Sequence, residues 1–570
     1  GFARFSTDSR GIETMTGQAH TAATRARTTW GAQVRLALFG LALTACAQHS
    51  LVGVVPDAGF DTDDAGGDDE STPDANLPAE TDGRGAILEL AECMPGGASG
   101  LDAATIAALR SVRDGAALRW LYPYEGTVLP RGLGAPLLQW EGPAPEAALV
   151  RLSSAAFRYE GCVPLKGLSE LTLEPRVWLA AEAASEGPTD ALSVEVFVLA
   201  QGTAHGPVRT QLSLSTARVR GSVYYQTYNS PLAPRTSVAS VLRVPLGGKA
   251  QPLFAEGSCN GCHSLARSGV ALVASIDGAG KSFTLSAGAP TPLLGPTARL
   301  PGAEFAAVHP SRPYYVATAH PVGTSGINLR SFGADRQTNS ALFSLDSGAL
   351  VPAAGVPTQA TMPAFSRDGL ALVFNDAADA AGHSLSVASF DPAMPAFGAA
   401  RRIFVDDVNY PGWPAFLPHD DAVVFALGSS ATFSADGARL FGNALAGRVS
   451  SLAWVDVQTG QSRMLHRSGG YASADDAQAQ RSYLPFGADE AGRSYYPTVM
   501  VTEPGSHEFV CFDSIRHYGA RGLRRAIWCS ALDGPGATAP PGDPSHPAFY
   551  LPGQEDTTEN FRPMAAADAP

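Results

Sequence analysis

The chain has 570 residues, 45% hydrophobic and 16% charged, with 60 glycines, 43 prolines and 7 cysteines. Abundant Gly and Pro, few charges and a mean hydropathy near zero exclude a coiled coil, a collagen and wholesale disorder, and point to short strands joined by turns. The net charge of −14 is uneven: residues 57–84 hold ten acids against Arg84 alone, and residues 1–56 hold five arginines against two acids. The remainder, residues 85–570, is acidic and offers no basic stripe for a phosphate backbone, so nucleic acid is not an expected partner.

Met15 is the earliest methionine, so residues 1–14 are set aside as preceding a start. Arg25, Arg27 and Arg35 lead into an apolar run at 36–43 and then small residues, the layout of a secretory signal over residues 1–45 and too short to span a bilayer. Leu43-Thr44-Ala45-Cys46 resembles a bacterial lipobox, which implies cleavage before Cys46 and lipidation of that residue; a plain signal peptide that happens to hold a Cys is the alternative. The resemblance implies an exported protein anchored by lipid in the cell envelope, at the outer membrane, on its periplasmic or surface face. Residues 46–85 follow as an acidic tether, self-repelling and too poor in apolar area to order. Asp61, Asp63, Asp64, Asp68 and Asp69 lack the terminal Glu of an EF-hand, which leaves calcium a minor reading.

Export places the chain in an oxidising compartment, where thiols are expected to pair. With Cys46 assigned to lipid and Cys259 and Cys262 kept as a unit, Cys93, Cys162, Cys511 and Cys529 remain, enough for two disulfides. Cys511 and Cys529 lie in apolar runs on either side of the basic segment 517–525, which predicts a hairpin with a cross-strand bridge. Cys93 to Cys162 would then staple the segment after the tether to the next domain, although four cysteines allow three pairings.

Residues 101–113 are the helix candidate, with Asp102 as its cap. From 118 to 250, apolar and polar residues alternate at strand length, as in Leu192-Ser193-Val194-Glu195-Val196-Phe197-Val198, and predict an immunoglobulin-like β-sandwich over residues 86–250. The cluster Tyr224, Tyr225 and Tyr228 reads as core packing ahead of a carbohydrate platform.

Cys259-Asn260-Gly261-Cys262-His263 matches the attachment pattern of c-type haem. Two thiols three positions apart add to the two vinyl groups of one porphyrin, and the adjacent His263 is then held against the iron as proximal ligand. A structural disulfide between Cys259 and Cys262, a thiol redox centre and half of a zinc site are the competing readings. Residues 264–273 read as turn then strand, so the helical surround of a small cytochrome is not expected. Met362 is the Met candidate for a sixth ligand, with His309 and His320 as His candidates; in a strand-rich core such residues also serve as packing or local hydrogen bonds.

From residue 259 onward an apolar entry, a Ser/Pro and Asp-Gly turn and a β-rich run recur, clearest in Met362-Pro363-Ala364-Phe365-Ser366-Arg367-Asp368-Gly369. The turns at Ser268, Ser311, Ser366 and Pro418 are one blade-length apart, and the run after each turn is expected to become an inner strand. Asp368, Asp420 and Asp436 fall at turn positions, which explains them without catalysis. These copies resemble the β-propeller repeats of TolB, which implies a propeller of about six blades over residues 251–570 with the Cys-x-x-Cys-His motif inserted. The whole arrangement is also similar to an uncharacterised family of bacterial envelope lipoproteins, through Tyr122-Pro123-Tyr124-Glu125-Gly126-Thr127-Val128-Leu129-Pro130-Arg131-Gly132 and a closing motif from Asp543 to Glu555. That family lends no function.

Hydrolase elbows, Walker loops, His-Glu-x-x-His and dinucleotide fingerprints are absent from the sequence. The leading expectation is therefore an all-β envelope protein with covalent haem c at the propeller rim, a one-electron carrier or redox sensor rather than an enzyme, meeting an envelope redox or protein partner. The alternative is a non-enzymatic TolB-like binding scaffold in which Cys259 and Cys262 form a disulfide, and a haem-dependent redox enzyme stands third.

Overall fold

The structure is a computed structural model that describes residues 87–233, 239–254, 260–277, 279–286, 288–300, 306–318, 340–428, 448–534 and 542–568. The signal, Cys46, the tether, Cys259 and His320 lie outside the described residues, as does the side chain of Cys262.

Strands Arg119–Tyr122, Leu137–Glu141 and Glu170–Thr172 form one sheet of the N-terminal region. The second sheet runs in the order Leu88–Ala91, Phe157–Pro164, Ala147–Ser153, Leu192–Ala200, Thr203–Arg220 and Thr127–Arg131. Its two outermost pairings are parallel and the inner ones antiparallel. Alternation does what it predicts: Val194, Val196 and Val198 of one sheet and Leu138, Trp140 and Leu171 of the other share one apolar core. The helix spans Ala103–Ser111, capped by Asp102, whose carboxylate accepts from Thr105 N at 2.7 Å. Ile106 and Leu109 bury its inner face beside Cys93 and Cys162, which are joined as a disulfide.

Among the described residues six antiparallel sheets follow, each of propeller-blade size. The first blade comprises Gln251–Pro252, Ala239–Pro245, Ser222–Tyr228 and, innermost, the C-terminal strand Asn560–Ala566. The second runs from Asn260 to Pro292, the third from Ala307 to Ser344, the fourth from Ala360 to Val405, the fifth from Tyr410 to Met464 and the sixth from Ser494 to Tyr550. The end of the chain thus closes the ring on its own beginning. This closure places strands Ser222–Tyr228 and Ala239–Pro245 in the first blade rather than in the sandwich. The expected boundary at 250 missed it because the pairing partner lies some three hundred residues away.

The inner strand is the segment before each turn, not the run after it as the sequence reading had it. The run after the turn is the second strand, and Ala422–Gly428 is buried throughout because sheets cover both its faces and neighbours both its edges. That double burial is what makes it the more conspicuous hydrophobic signal.

The Ser/Pro and Asp-Gly turns interlock around one mouth of the ring. Ser268 Oγ donates to Pro310 O at 2.5 Å, and His309 Nε2 meets Gly369 O at 3.1 Å. The Asp420 carboxylate accepts from Arg367 N at 2.8 Å and Asp368 N at 3.3 Å. Gly369 has φ +76°, and a Cβ there would lie 2.5 Å from the His309 ring, so both conformation and contact require glycine.

Sandwich and propeller are not separate cores. Trp140 and Val196 of the sandwich join Tyr225, Leu242, Phe509, Ile527 and Phe549 of the first and last blades in one cluster. Strand Val501–Thr502 pairs with Val219 and Arg220 at the end of the long sandwich strand. Tyr122, from the first family motif, accepts from Tyr550 N of the closing motif at 2.9 Å and packs against Tyr518 and Trp528. Both motifs are therefore the joint between the two regions. Among the described residues no helix is long and apolar enough to cross a membrane.

Candidate functional site

Residues Asn260 to His263 of the haem-like motif lie in the innermost strand of the second blade, Asn260–Leu265, and not at the rim. Its register skips from Gly261, paired with Ser275, to Ser264, paired with Val273. The same two-residue skip recurs in the inner strands of the fourth, fifth, sixth and first blades, where it holds Met362-Pro363, Trp413-Pro414, Tyr496-Pro497 and Arg562-Pro563. The first residue of each of these pairs has positive φ: 49° at Met362, 49° at Trp413, 51° at Tyr496 and 47° at Arg562. Proline suits the second position because a bulged residue has no ladder bond to donate. Cys262-His263 occupies the place that four other blades give to such a pair, so the sharpest motif of the sequence sits at an architectural bulge.

The described residues form no haem cradle there. The His263 ring is fully buried, and burial first, then the Arg562 guanidinium, push its pKa down to about 3 against the Tyr224 backbone, so the ring is neutral. Its nitrogens make no hydrogen bond of standard geometry, a state in which an imidazole would accept a metal. Among the described residues the space there is small. The channel cavity beside this strand, lined by Ser264, Met362, Trp413, Tyr496 and Arg562 among others, holds about 110 Å³, well below the ~300 Å³ at which small-molecule pockets begin. Met362 does line this cavity, but it is buried among Tyr410, Trp413 and Tyr496 as core. His309 spends both nitrogens, accepting from Ser311 N and Arg312 N at Nδ1 and meeting Gly369 O at Nε2.

A larger cleft of about 200 Å³ opens between the fifth and sixth blades, lined by Leu417, Asp421, Trp454, Arg463, Glu508 and Asp533 among others. Glu508 comes from the start of strand His507–His517 and is only 7% exposed. Its Oε1 has no hydrogen-bond partner, and His419 Nε2 stands 3.9 Å away. Burial, with the Asp421 charge next, raises the Glu508 carboxyl to about 7 although Arg267 pulls the other way. Arg267 itself crosses the ring to donate to Phe416 O at 2.7 Å. Sequence reading did not single out Glu508; the only signal was an acid heading the apolar run 509–512.

Cys511 and Cys529 are cross-strand neighbours in the hairpin His507–His517 and Leu523–Asp533 and form the second disulfide. Tyr224 and Tyr225 are buried, and Tyr228 packs edge-on against Phe561.

The sequence matches no family model and no curated protein. Among solved structures the chain is similar to TolB from Acinetobacter baumannii, with TM-score 0.36 and 10% identity over 69% of this chain and 85% of that one. It is also similar to a chain of a nidogen/laminin complex, with TM-score 0.34 and 9% identity over 61% of this chain and 100% of that one. A putative TolB from Agrobacterium tumefaciens aligns with TM-score 0.24 and 13% identity over 43% of this chain and 88% of that one. The propeller assignment itself rests on the strand order and the C-terminal closure.

Proposed function

We propose that the protein is a non-enzymatic binding scaffold of the cell envelope, tethered through Cys46, with Cys259 and Cys262 joined as a structural disulfide. The cleft between the fifth and sixth blades takes a cationic group of a protein partner. The observation that carries this reading is Glu508: a carboxylate nine-tenths buried, with an unpartnered oxygen, in the wall of a cleft that also holds Asp421 and Asp533. A buried acceptor left open costs stability unless a donor completes it, and an ammonium or guanidinium supplies both hydrogen and charge. The single core shared by sandwich and propeller supports the scaffold role, since a preformed platform loses little freedom on binding.

The test is calorimetric titration with the peptide acetyl-Lys-Lys-Lys-amide at pH 8 and low salt. Glu508→Gln removes the charge and keeps the shape, and affinity is expected to fall at least about ten-fold, with a smaller loss in Asp421→Asn. Equal affinity in wild type and Glu508→Gln would overturn the reading.

A further inference from the structure

Behind the cleft, where the sixth blade meets the sandwich, three chemically matched side chains converge from distant parts of the sequence. His507 opens one strand of the disulfide hairpin and Asp533 ends the other, so the antiparallel register sets them opposite each other. His546 arrives on the connection that follows. Its backbone is fixed there by His546 N to Ala531 O at 3.0 Å, Asp533 N to Pro544 O at 2.9 Å and the bridge between Leu532 and Ser545. Asp543 holds the same connection, accepting from Ser545 N at 2.8 Å and Arg467 N at 2.8 Å. The three residues thus stand on fixed backbone rather than on a free loop.

One ligand atom from each lies within 4.8 Å of the others. Asp533 Oδ1 is 2.9 Å from His546 Nε2 and 3.6 Å from His507 Nε2. A tetrahedral ion with bonds of about 2.0–2.1 Å sets its ligand atoms roughly 3.3–3.4 Å apart, and the two measured edges bracket that spacing. Two imidazoles compete here for one carboxylate oxygen, and only His546 makes a hydrogen bond to it. The far side of His507 is already oriented: Nδ1 meets Ser506 Oγ at 3.0 Å and Ser215 Oγ, from the sandwich, at 3.2 Å. A hydrogen bond at one ring nitrogen that directs the other toward a metal is the usual outer-sphere arrangement of a histidine ligand.

We propose that His507, Asp533 and His546 bind a divalent transition-metal ion of the zinc class. Three protein ligands leave further coordination to water or to an oxygen or nitrogen of a ligand, and Asp533 also lines the cleft. The ion would join the last blade to the sandwich through Ser215 and His507. Asp533 belongs to both this site and the cleft, but the cationic-group reading is carried by Glu508 and tested with a different variant and a different probe, so either can fail alone.

The test strips the exported full chain with EDTA and titrates it with Zn²⁺ by calorimetry, with Co²⁺ substitution as a spectroscopic readout of coordination. The expected result is one Zn²⁺ per chain at sub-micromolar affinity, weakened by about 100-fold or more in His546→Ala and in Asp533→Asn. His205→Ala, in the sandwich, should bind as wild type does. Ser215→Ala, which removes one of the two hydroxyls at His507 Nδ1 and no metal ligand, should weaken binding about ten-fold and leave the stoichiometry unchanged. His546 is partly exposed and Asp533→Asn preserves shape, so both variants should fold, which thermal unfolding verifies. Absence of saturable Zn²⁺ binding in the wild type would overturn the proposal. So would undiminished binding in His546→Ala and Asp533→Asn, which would place the ion elsewhere.

Discussion

The second and sixth blades invert what the sequence advertises. In the second blade the Cys262-His263 end of a motif with a sharp chemical meaning falls on an inner-strand bulge where the fourth, fifth, sixth and first blades carry Met-Pro, Trp-Pro, Tyr-Pro and Arg-Pro. In the sixth blade, no spacing announces His507, Glu508, Asp533 and His546, yet one hairpin and the connection after it collect them around a cleft and its floor. A motif states which chemistry its residue types allow; backbone position decides whether there is room for it.

The largest effect that separates the blades comes from the core of the sixth. Trp528 is fully buried, stacked on Tyr124 and edge-on to Tyr122 and Tyr550. Trp528→Ala should cost about 3–5 kcal/mol in urea unfolding. Because this core joins the two regions, sandwich and propeller should lose stability together, as a single transition followed by fluorescence and circular dichroism.

Next in size is the cross-strand disulfide. Cys511 and Cys529 are 18 residues apart, and replacing both by Ala should lower unfolding free energy by about 3 kcal/mol. Chemical denaturation under non-reducing conditions reads this directly.

The second blade is tested by acid. A neutral buried histidine whose folded pKa is about 3 binds fewer protons than its unfolded form near 6.5. Its stabilisation is complete above pH 6.5 and is lost as pH falls toward 3, amounting to about 2 kcal/mol by pH 5. His309, lowered chiefly by burial, acts in the same direction. His263→Pro installs the residue that four other bulges use. It should fold and should show a shallower loss of stability between pH 7.5 and 5 than wild type; failure of that variant to fold would break the equivalence of the bulges.

The smallest expected effect is at the interlocked turns. Asp420→Ala leaves Arg367 N and Asp368 N without their acceptor and should cost about 1 kcal/mol, measured by thermal unfolding at neutral pH.

What was legible in the sequence was local or covalent. Asp102 capped its helix, the runs around Cys511 and Cys529 formed a bridged hairpin, and the repeated turns marked a succession of small antiparallel sheets. What was hidden depends on distant pairing. The C-terminal strand fills the first blade through contacts across more than three hundred residues, which no periodicity records. The inner strands were passed over because bulge and proline dilute their hydrophobic signal, while the doubly covered second strands stood out. His546 was visible only as part of a family motif, and its approach to His507 and Asp533 follows from the backbone bonds that pin its connection to the hairpin rather than from any fixed spacing.

The most direct test of the central claim is the intact mass of the exported chain, produced with a working cytochrome c maturation system and measured under denaturing, non-reducing conditions. The account predicts a chain without haem whose Cys259 and Cys262 have lost two hydrogens to a disulfide. A chain carrying the added mass of one covalent haem would contradict it.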